Sequence, residues 1–204
     1  TRPWPEMLRA TADGRYLEER ASGKPFFWLG DTAWELFHRL TFDEARRYLD
    51  RRAAQEFNVV QAVALAEFDG LTEPNRNGDL PLRDLDPTRP NDAYFAHVDR
   101  VLAHAASLGL VVGLLPTWGD KVNRAWGAGP EVFTPENARV YGRWLGERYR
   151  DFGPLVWING GDREMATDAH RETFRALAAG LRDGDGGAHA ITFHPQGGRS
   201  SGMD

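Results

Sequence analysis

The sequence contains no cysteine, which excludes disulfide bonds and thiolate metal sites but leaves the cellular compartment open. It also has no apolar run of the roughly 20 residues that a membrane-spanning helix needs. Lysine and arginine form no cluster on one predicted face, and the net charge is -5, so we do not expect nucleic acid as a partner. The 204 residues are 41% hydrophobic and 27% charged, which indicates one globular domain with a sizeable core.

Several catalytic signatures are absent as well. The sequence has neither G-x-G-x-x-G nor G-x-x-x-x-G-K-[ST], the glycine-rich signatures of nucleotide binding. It also has no H-E-x-x-H or H-x-H motif, and its histidines are scattered, at His38, His97, His104, His170, His189 and His194. We therefore expect no cofactor and no metal, and a metal-dependent hydrolase is the weakest of the functions considered.

What the sequence does contain is an alternation of strand and helix patterns. After a small hairpin, apolar runs predict five strands, at 26–29, 59–65, 110–115, 155–158 and 188–193. Helices are predicted to begin after Thr41, Asn91 or Asp92, and Thr134, with a fourth at 168–181; a long polar loop, 69–92, precedes the second. Such an order predicts a parallel sheet wrapped by helices.

Polar and aromatic side chains follow each predicted strand, which favours a barrel over an open doubly wound sheet. They are Asp31, Trp34, Glu67, Trp118, Asp120, Asn159, Asp162, His194 and Gln196. In barrels the active site is built from the carboxyl ends of the strands. A complete barrel takes about 250 residues, so we predict an α/β, (β/α)8 TIM barrel that is incomplete. It would comprise about the first five β/α units, with residues 1–204 forming a single domain as the N-terminal portion.

The stretch WINGGDRE, at 157–164, is the strongest candidate for chemistry. Asp162 follows two glycines at the end of an apolar strand, and nearby aromatic walls would favour the neutral acid that a general acid requires. A solvated loop aspartate is the alternative. Glu164 competes with Asp162 for the role of the acid, whereas Arg163 is the expected structural partner of an acidic neighbour.

Other strand-end residues suit the binding of a sugar. Asp31 could accept hydrogen bonds from two hydroxyl groups, or it could cap the turn that follows it. Trp34 and Trp118 could belong to the core, or they could offer a flat apolar face to a sugar ring. His194 is expected at the mouth of the barrel.

Four stretches carry a resemblance to a known family: FFWLGDTAWELFHRLT, RPNDAYFAHVDRVLAHAASLGLVVGLLPTWGDK, GPEVFTPENARVYGRWLGERYRDFGPLVWINGGDRE and TFHPQGGRSS. They resemble the apiosidase-like glycoside hydrolases, grouped as glycoside hydrolase family 140. The resemblance implies a (β/α)8 barrel and retaining hydrolysis of pectin-type side chains such as those carrying apiose. It assigns the acid/base to Asp162 and the nucleophile to a glutamate of a later strand, which these 204 residues do not contain.

Further residues fall in the matching motifs and are predicted to line the sugar pocket: Asp31, Trp34, Trp118, Asp120, Lys121, Asn159 and His194. The expected partner is an oligosaccharide or polysaccharide, and the oligomeric state stays open. The alternative function is a non-catalytic carbohydrate-binding or degenerate barrel module. A chain that begins at Thr1 fits a removed signal peptide or a trimmed sequence, and a periplasmic or secreted protein is favoured over a cytoplasmic one.

Overall fold

A computed structural model describes residues 7–198 of the chain. The terminal residues of the predicted single domain, 1–6 and 199–204, lie outside this described part. The elements are β1 Leu8–Ala10, β2 Leu17–Glu19, β3 Pro25–Phe26, β4 Gly30–Thr32, α1 Phe42–Ala54, β5 Val59–Leu65, α2 Asp92–Ser107, β6 Val111–Thr117, α3 Pro135–Tyr149, β7 Leu155–Gly160, α4 Asp168–Asp185 and β8 Ile191–His194. Two short 3-10 turns, Arg83–Leu85 and Gly119–Lys121, lie in loops.

The main sheet has five strands in the order β4-β5-β6-β7-β8, and every neighbouring pair is parallel. Each strand therefore pairs with the next strand in the chain, as in the wall of a (β/α)8 barrel. The predicted α/β architecture with about five units is confirmed. A separate antiparallel sheet, β1-β2-β3, forms from the N-terminal hairpin.

The two faces of the main sheet are both apolar, because a parallel barrel strand is buried on both sides. Residues such as Val112, Leu114 and Trp157 belong to the large cluster packed under helices α2, α3 and α4. The residues between them face the inside of the sheet. At the amino ends of the strands, Val59 and Val156 pack with the N-terminal hairpin, which closes that end. Each large side chain buried in this way contributes about 1.5–3 kcal/mol.

The prediction of one continuous strand over 26–29 is wrong. Phe26 ends β3 in the small sheet and Gly30 starts β4 in the large one, so the chain changes sheets between them. Phe27 is 78% exposed there. The side chain of Asn58 donates to the Phe27 carbonyl and accepts from the Leu29 amide at 2.6 and 2.9 Å. An amide side chain thus takes the hydrogen bonds that a neighbouring strand would otherwise make.

The predicted helix starts are confirmed by their caps. Thr41 forms a capping box with Glu44, and Thr134 forms one with Asn137 while Pro135 occupies the first turn. Asn91 caps α2. Because each cap satisfies amide groups that the helix itself leaves unpaired, these short signals place the helix starts well.

Helices α3 and α4 approach each other so closely that their contact is built from glycine. The glycines are spaced four apart on each helix, at Gly142 and Gly146 on α3 and at Gly180 and Gly184 on α4. A Cβ atom on Gly184 would lie 2.2 Å from the Arg143 carbonyl oxygen. Glycines inside α4 therefore do not end the helix, which runs past the predicted end at Leu181 to Asp185.

We expect Gly184→Ala to destabilise the fold by roughly 1–3 kcal/mol or more, because the added methyl group meets helix backbone that cannot move aside. In an exposed helix the same change would stabilise by up to about 1 kcal/mol, so the sign of the effect tests the packing. The measurement is denaturant unfolding followed by circular dichroism. Asp183→Ala, which alters an exposed neighbour, is the control and should change stability little. A stabilised Gly184→Ala variant would contradict the close contact.

Candidate active site

Asp162 lies just beyond the carboxyl end of β7, in a bend that requires glycine. Gly160 and Gly161 have φ angles of 96° and 123°, and Asp162 itself has 51°. A Cβ atom on Gly160 would lie 2.4 Å from the His194 carbonyl oxygen. This bend turns the chain back across the ends of the neighbouring strands, and Asp162 is half-buried there.

His194, which ends β8, and Gly197, in the segment that follows the strand, hold Asp162 in place through two hydrogen bonds. The Asp162 amide donates to Nδ1 of His194 at 3.2 Å, and the Asp162 Oδ1 accepts from the Gly197 amide at 2.8 Å. Aspartate is one of the few residue types that tolerate a positive φ angle. The carboxyl group is therefore fixed from both its backbone and its side chain, as a group that must meet a reacting atom should be.

Three rings from different strand ends meet beside Asp162. Trp34 follows β4, Trp118 follows β6, and His194 ends β8. The ring centroids lie 5.0 Å apart for Trp34 and Trp118, 5.7 Å for Trp34 and His194, and 5.4 Å for Trp118 and His194. We call this group the aromatic cluster. Nε1 of Trp118 is buried and makes no hydrogen bond within the described residues, so it is a donor that a ligand could use.

Arg163 ties this loop to a second strand end. Its side chain is 1% exposed and donates to Glu67 Oε1 at 2.7 Å and to the Asp162 carbonyl at 2.8 Å. The predicted structural role of Arg163 fits these contacts, and the acidic partner is Glu67, at the end of β5. Glu164 contributes its carbonyl oxygen, which accepts from the Asn123 side chain at 2.8 Å.

Asp120 and Lys121 form a fully buried pair, which we call the buried clamp. Lys121 Nζ donates to Asp120 Oδ2 at 3.0 Å, to the Phe68 carbonyl at 2.9 Å and to the Gly129 carbonyl at 2.7 Å. Asp120 Oδ2 also accepts from the Gly129 amide at 3.0 Å. Burial lowers the pKa of Lys121, and the adjacent Asp120 carboxylate offsets part of that shift. The clamp joins the loops after β5 and β6, and its sugar-binding role stays a prediction.

The structure separates Asp31 and Asn159 from this group. The Asp31 carboxylate accepts hydrogen bonds from Tyr48 and Arg52 of α1. Burial raises the pKa of Asp31, but the hydrogen bonds from Tyr48 and Arg52 lower it by more. Asn159 Nδ2 donates to the Phe174 carbonyl of α4 at 2.8 Å. Alternate strand residues face opposite sides of a sheet, and these two face the helices, so their contacts here are structural.

Of the predicted site residues, the structure therefore brings together Asp162, Trp34, Trp118 and His194. Two cavities flank the end of β8. One, of about 560 Å³, lies on the inner face beside the aromatic cluster and includes His194, Gln61 and Ile158 in its lining. The other, of about 530 Å³, lies on the helix side, between α4 and β8. Of the aromatic cluster only His194 lines the inner cavity, which extends to Ala10 and Leu17 of the N-terminal hairpin, and Asp162 is not part of its lining.

Sequence reasoning missed the exposed tryptophan of the loop after β6. Trp126 is 60% exposed, and its ring lies over the guanidinium of Arg163, with Cζ 4.4 Å from the ring centroid. The signal was present in NRAWGAGP, where an aromatic residue stands in a glycine-rich loop that directly follows a barrel strand. Only the fold shows that this loop meets the one that carries Asp162.

Two features of the described residues bear on other kinds of function. Across residues 7–198, no helix combines the length and the apolar character needed to cross a bilayer. Within the same part of the chain, no three histidine, aspartate or glutamate side chains are grouped as metal ligands.

Comparison with known proteins gives a family and a set of similar folds. The family described as "Apiosidase-like, catalytic domain" matches residues 11–203. A glycoside hydrolase family 5 protein from Bacteroides vulgatus is 32% identical with a TM-score of 0.83, and the match covers 97% of this chain and 41% of that protein. A second glycoside hydrolase is also 32% identical, with a TM-score of 0.80, over 95% of this chain and 42% of the other.

A further solved structure supports the fold alone. It is a putative glycoside hydrolase from Bacteroides vulgatus, 18% identical with a TM-score of 0.70, matched over 94% of this chain and 39% of that one. The chain thus spans about two fifths of the length of these solved relatives. A search of the curated proteins found no match.

Proposed function

Because the chain belongs to the Apiosidase-like catalytic domain family, we propose that the whole protein is a retaining glycoside hydrolase acting on pectin-type side-chain sugars, such as those carrying apiose. The chain itself is a glycoside hydrolase-like domain with the strand order of a barrel wall. The observation that carries the proposal is the placement of Asp162, held at the carboxyl edge of the sheet beside the aromatic cluster.

In this proposal Asp162 is the acid/base. It protonates the glycosidic oxygen as the bond to the leaving group breaks, and later removes a proton from the water that releases the sugar from the enzyme. The hydrogen bond from Gly197 to Oδ1 orients the carboxyl group for these transfers. The nucleophile is a glutamate of a strand after β8, outside these residues, and retaining chemistry requires it about 5–5.5 Å from Asp162.

The aromatic cluster is proposed to hold the sugar whose bond is cleaved. Trp34 is half-buried and Trp118 is 4% exposed, so their rings form a wall rather than a free surface. Sugar rings present C–H groups on one face and hydroxyl groups at the edge. An indole ring can pack on the first, and the unpaired Nε1 of Trp118 can donate to the second.

The proposed substrate also bears on location. An enzyme encounters a polysaccharide substrate outside the cytoplasm. For that reason we propose that the protein is periplasmic or secreted. The single-domain organisation of residues 1–204 stays part of the same proposal.

The test uses protein made from the complete reading frame, incubated with apiose-bearing pectin oligosaccharides and followed by proton NMR. Released apiose whose first-formed anomer has the configuration of the substrate supports the proposal. Release of the opposite anomer contradicts the retaining mechanism. Binding without any release supports a carbohydrate-binding module instead and overturns the assignment as an enzyme.

A further inference from the structure

Trp126 is a large apolar side chain held on the open surface of a loop. Its side chain is 60% exposed, although burial of a tryptophan is usually strongly favourable. One face of the ring lies over the Arg163 guanidinium, with Cζ 4.4 Å from the ring centroid, which fixes the orientation of the ring. The remainder of the ring is therefore presented to solvent in a defined position.

The position of this ring relative to Asp162 follows from Arg163. The buried guanidinium donates to the Asp162 carbonyl at 2.8 Å and carries Trp126 on its face. On the other side, the Asp162 amide bonds to His194 of the aromatic cluster. Asp162 thus lies between an inner aromatic wall and an outer, exposed indole ring.

The loop that carries Trp126 is anchored by hydrogen bonds on both sides of that residue. Lys121 and Asp120 of the buried clamp bind the carbonyl and the amide of Gly129, three residues beyond Trp126. At the near end of the loop, the Arg124 amide donates to the Glu131 carboxylate at 2.6 Å. A ring that is already oriented loses little conformational entropy when a ligand packs on it.

We infer that Trp126 is the platform for the sugar unit on the leaving-group side of the cleaved bond. This inference rests on the proposed function. An acid must lie next to the oxygen it protonates, so the leaving group sits beside Asp162. The sugar retained by the enzyme occupies the inner wall, and the leaving sugar extends outward to Trp126. The flat C–H face of a pyranose ring matches an indole ring that is open on one side.

The experiment compares two substrates in protein made from the complete reading frame. One is an apiose-bearing pectin oligosaccharide, and the other is apiosyl fluoride, whose leaving group has no ring to pack. For Trp126→Ala we expect KM for the oligosaccharide to rise roughly tenfold, the loss typical of a central aromatic contact. Hydrolysis of the fluoride should stay within about twofold, since substitutions of exposed residues seldom perturb the fold.

Two further variants sharpen the comparison. Trp126→Phe retains an aromatic face, so its KM for the oligosaccharide should rise less than that of Trp126→Ala. Phe27→Ala removes an aromatic side chain that is 78% exposed next to the amino end of β4, whereas Asp162 lies beyond the carboxyl end of β7. This variant should leave the hydrolysis of both substrates unchanged.

The outcomes separate this inference from the proposed function. Hydrolysis of both substrates by the unchanged protein, with a selective loss for Trp126→Ala, supports the platform. Hydrolysis with an unaltered KM for the oligosaccharide in Trp126→Ala overturns the platform and leaves the proposed function standing. An equal loss on both substrates also overturns it. Failure of the unchanged protein to hydrolyse either substrate overturns the proposed function and this inference together.

Discussion

Asp162→Asn is expected to lower turnover of an unactivated oligosaccharide by about 10²–10⁴-fold, the usual contribution of a positioned general acid and base. Asparagine cannot supply the proton, yet it keeps a side-chain oxygen that can accept from the Gly197 amide. It also tolerates the φ angle of 51° at this position. The measurement is steady-state kinetics in protein made from the complete reading frame, with circular dichroism to compare the folds.

Asp168→Asn is the matched control for this prediction. Asp168 lies six residues further along, at the start of α4, and its side chain is fully exposed. The change removes the same charge without touching the strand end, so turnover should stay close to that of the unchanged protein. Near-normal turnover in Asp162→Asn would contradict the acid/base assignment, since an unactivated leaving group depends on protonation.

Lys121→Met is expected to destabilise the protein by about 3–5 kcal/mol, which is the usual cost of breaking a buried ion pair by removing one partner. The variant leaves the Asp120 carboxylate and the carbonyls of Phe68 and Gly129 without their donor inside the protein. Denaturant unfolding measures the change. A loss this large would be a substantial share of the stability of a domain of this size.

Two other variants show whether the charge is the cause. Combining Lys121→Met with Asp120→Asn removes the stranded negative charge, so the double variant should regain part of the lost stability. Arg143→Met breaks an exposed pair with Glu147 and should have little effect. If Lys121→Met unfolded at the same denaturant concentration as the unchanged protein, the clamp would not hold the two loops.

The strands of the barrel wall were predictable because their signals are local. The run at 59–65 is apolar at every position but Gln61, as expected of a strand buried on both faces. Thr41 and Thr134 begin helices through side-chain hydrogen bonds to residues three positions on. The loop with Asp162 was recognisable for a similar reason, since two glycines after an apolar strand allow a bend that other residues cannot adopt.

The direction in which each strand-end side chain points was harder to predict from the sequence. Asp31 and Asn159 lie near the ends of strands. Whether their side chains face the helices or the interior depends on the register of the strand, and a shift of one residue reverses the direction. Asp120 and Lys121 have charges that suggest an open pocket, and their burial depends on loops 50 and more residues apart in sequence. The pairing of Arg163 with Glu67 spans a separation of 96 residues, which no local pattern reports.

The glycines between α3 and α4 have a consequence for mutational surveys of this protein. Gly142, Gly146, Gly180 and Gly184 perform no chemistry, yet replacing them should lower activity by destabilising the fold and reducing the amount of folded protein. In a screen scored by activity alone, substitutions at these positions would lower the score, as substitutions at Asp162 are expected to do. Soluble yield separates the two groups, because a variant that lacks only the Asp162 carboxyl group is expected to accumulate as folded protein. Intolerance to substitution therefore marks a catalytic residue here only when the protein is also shown to be present.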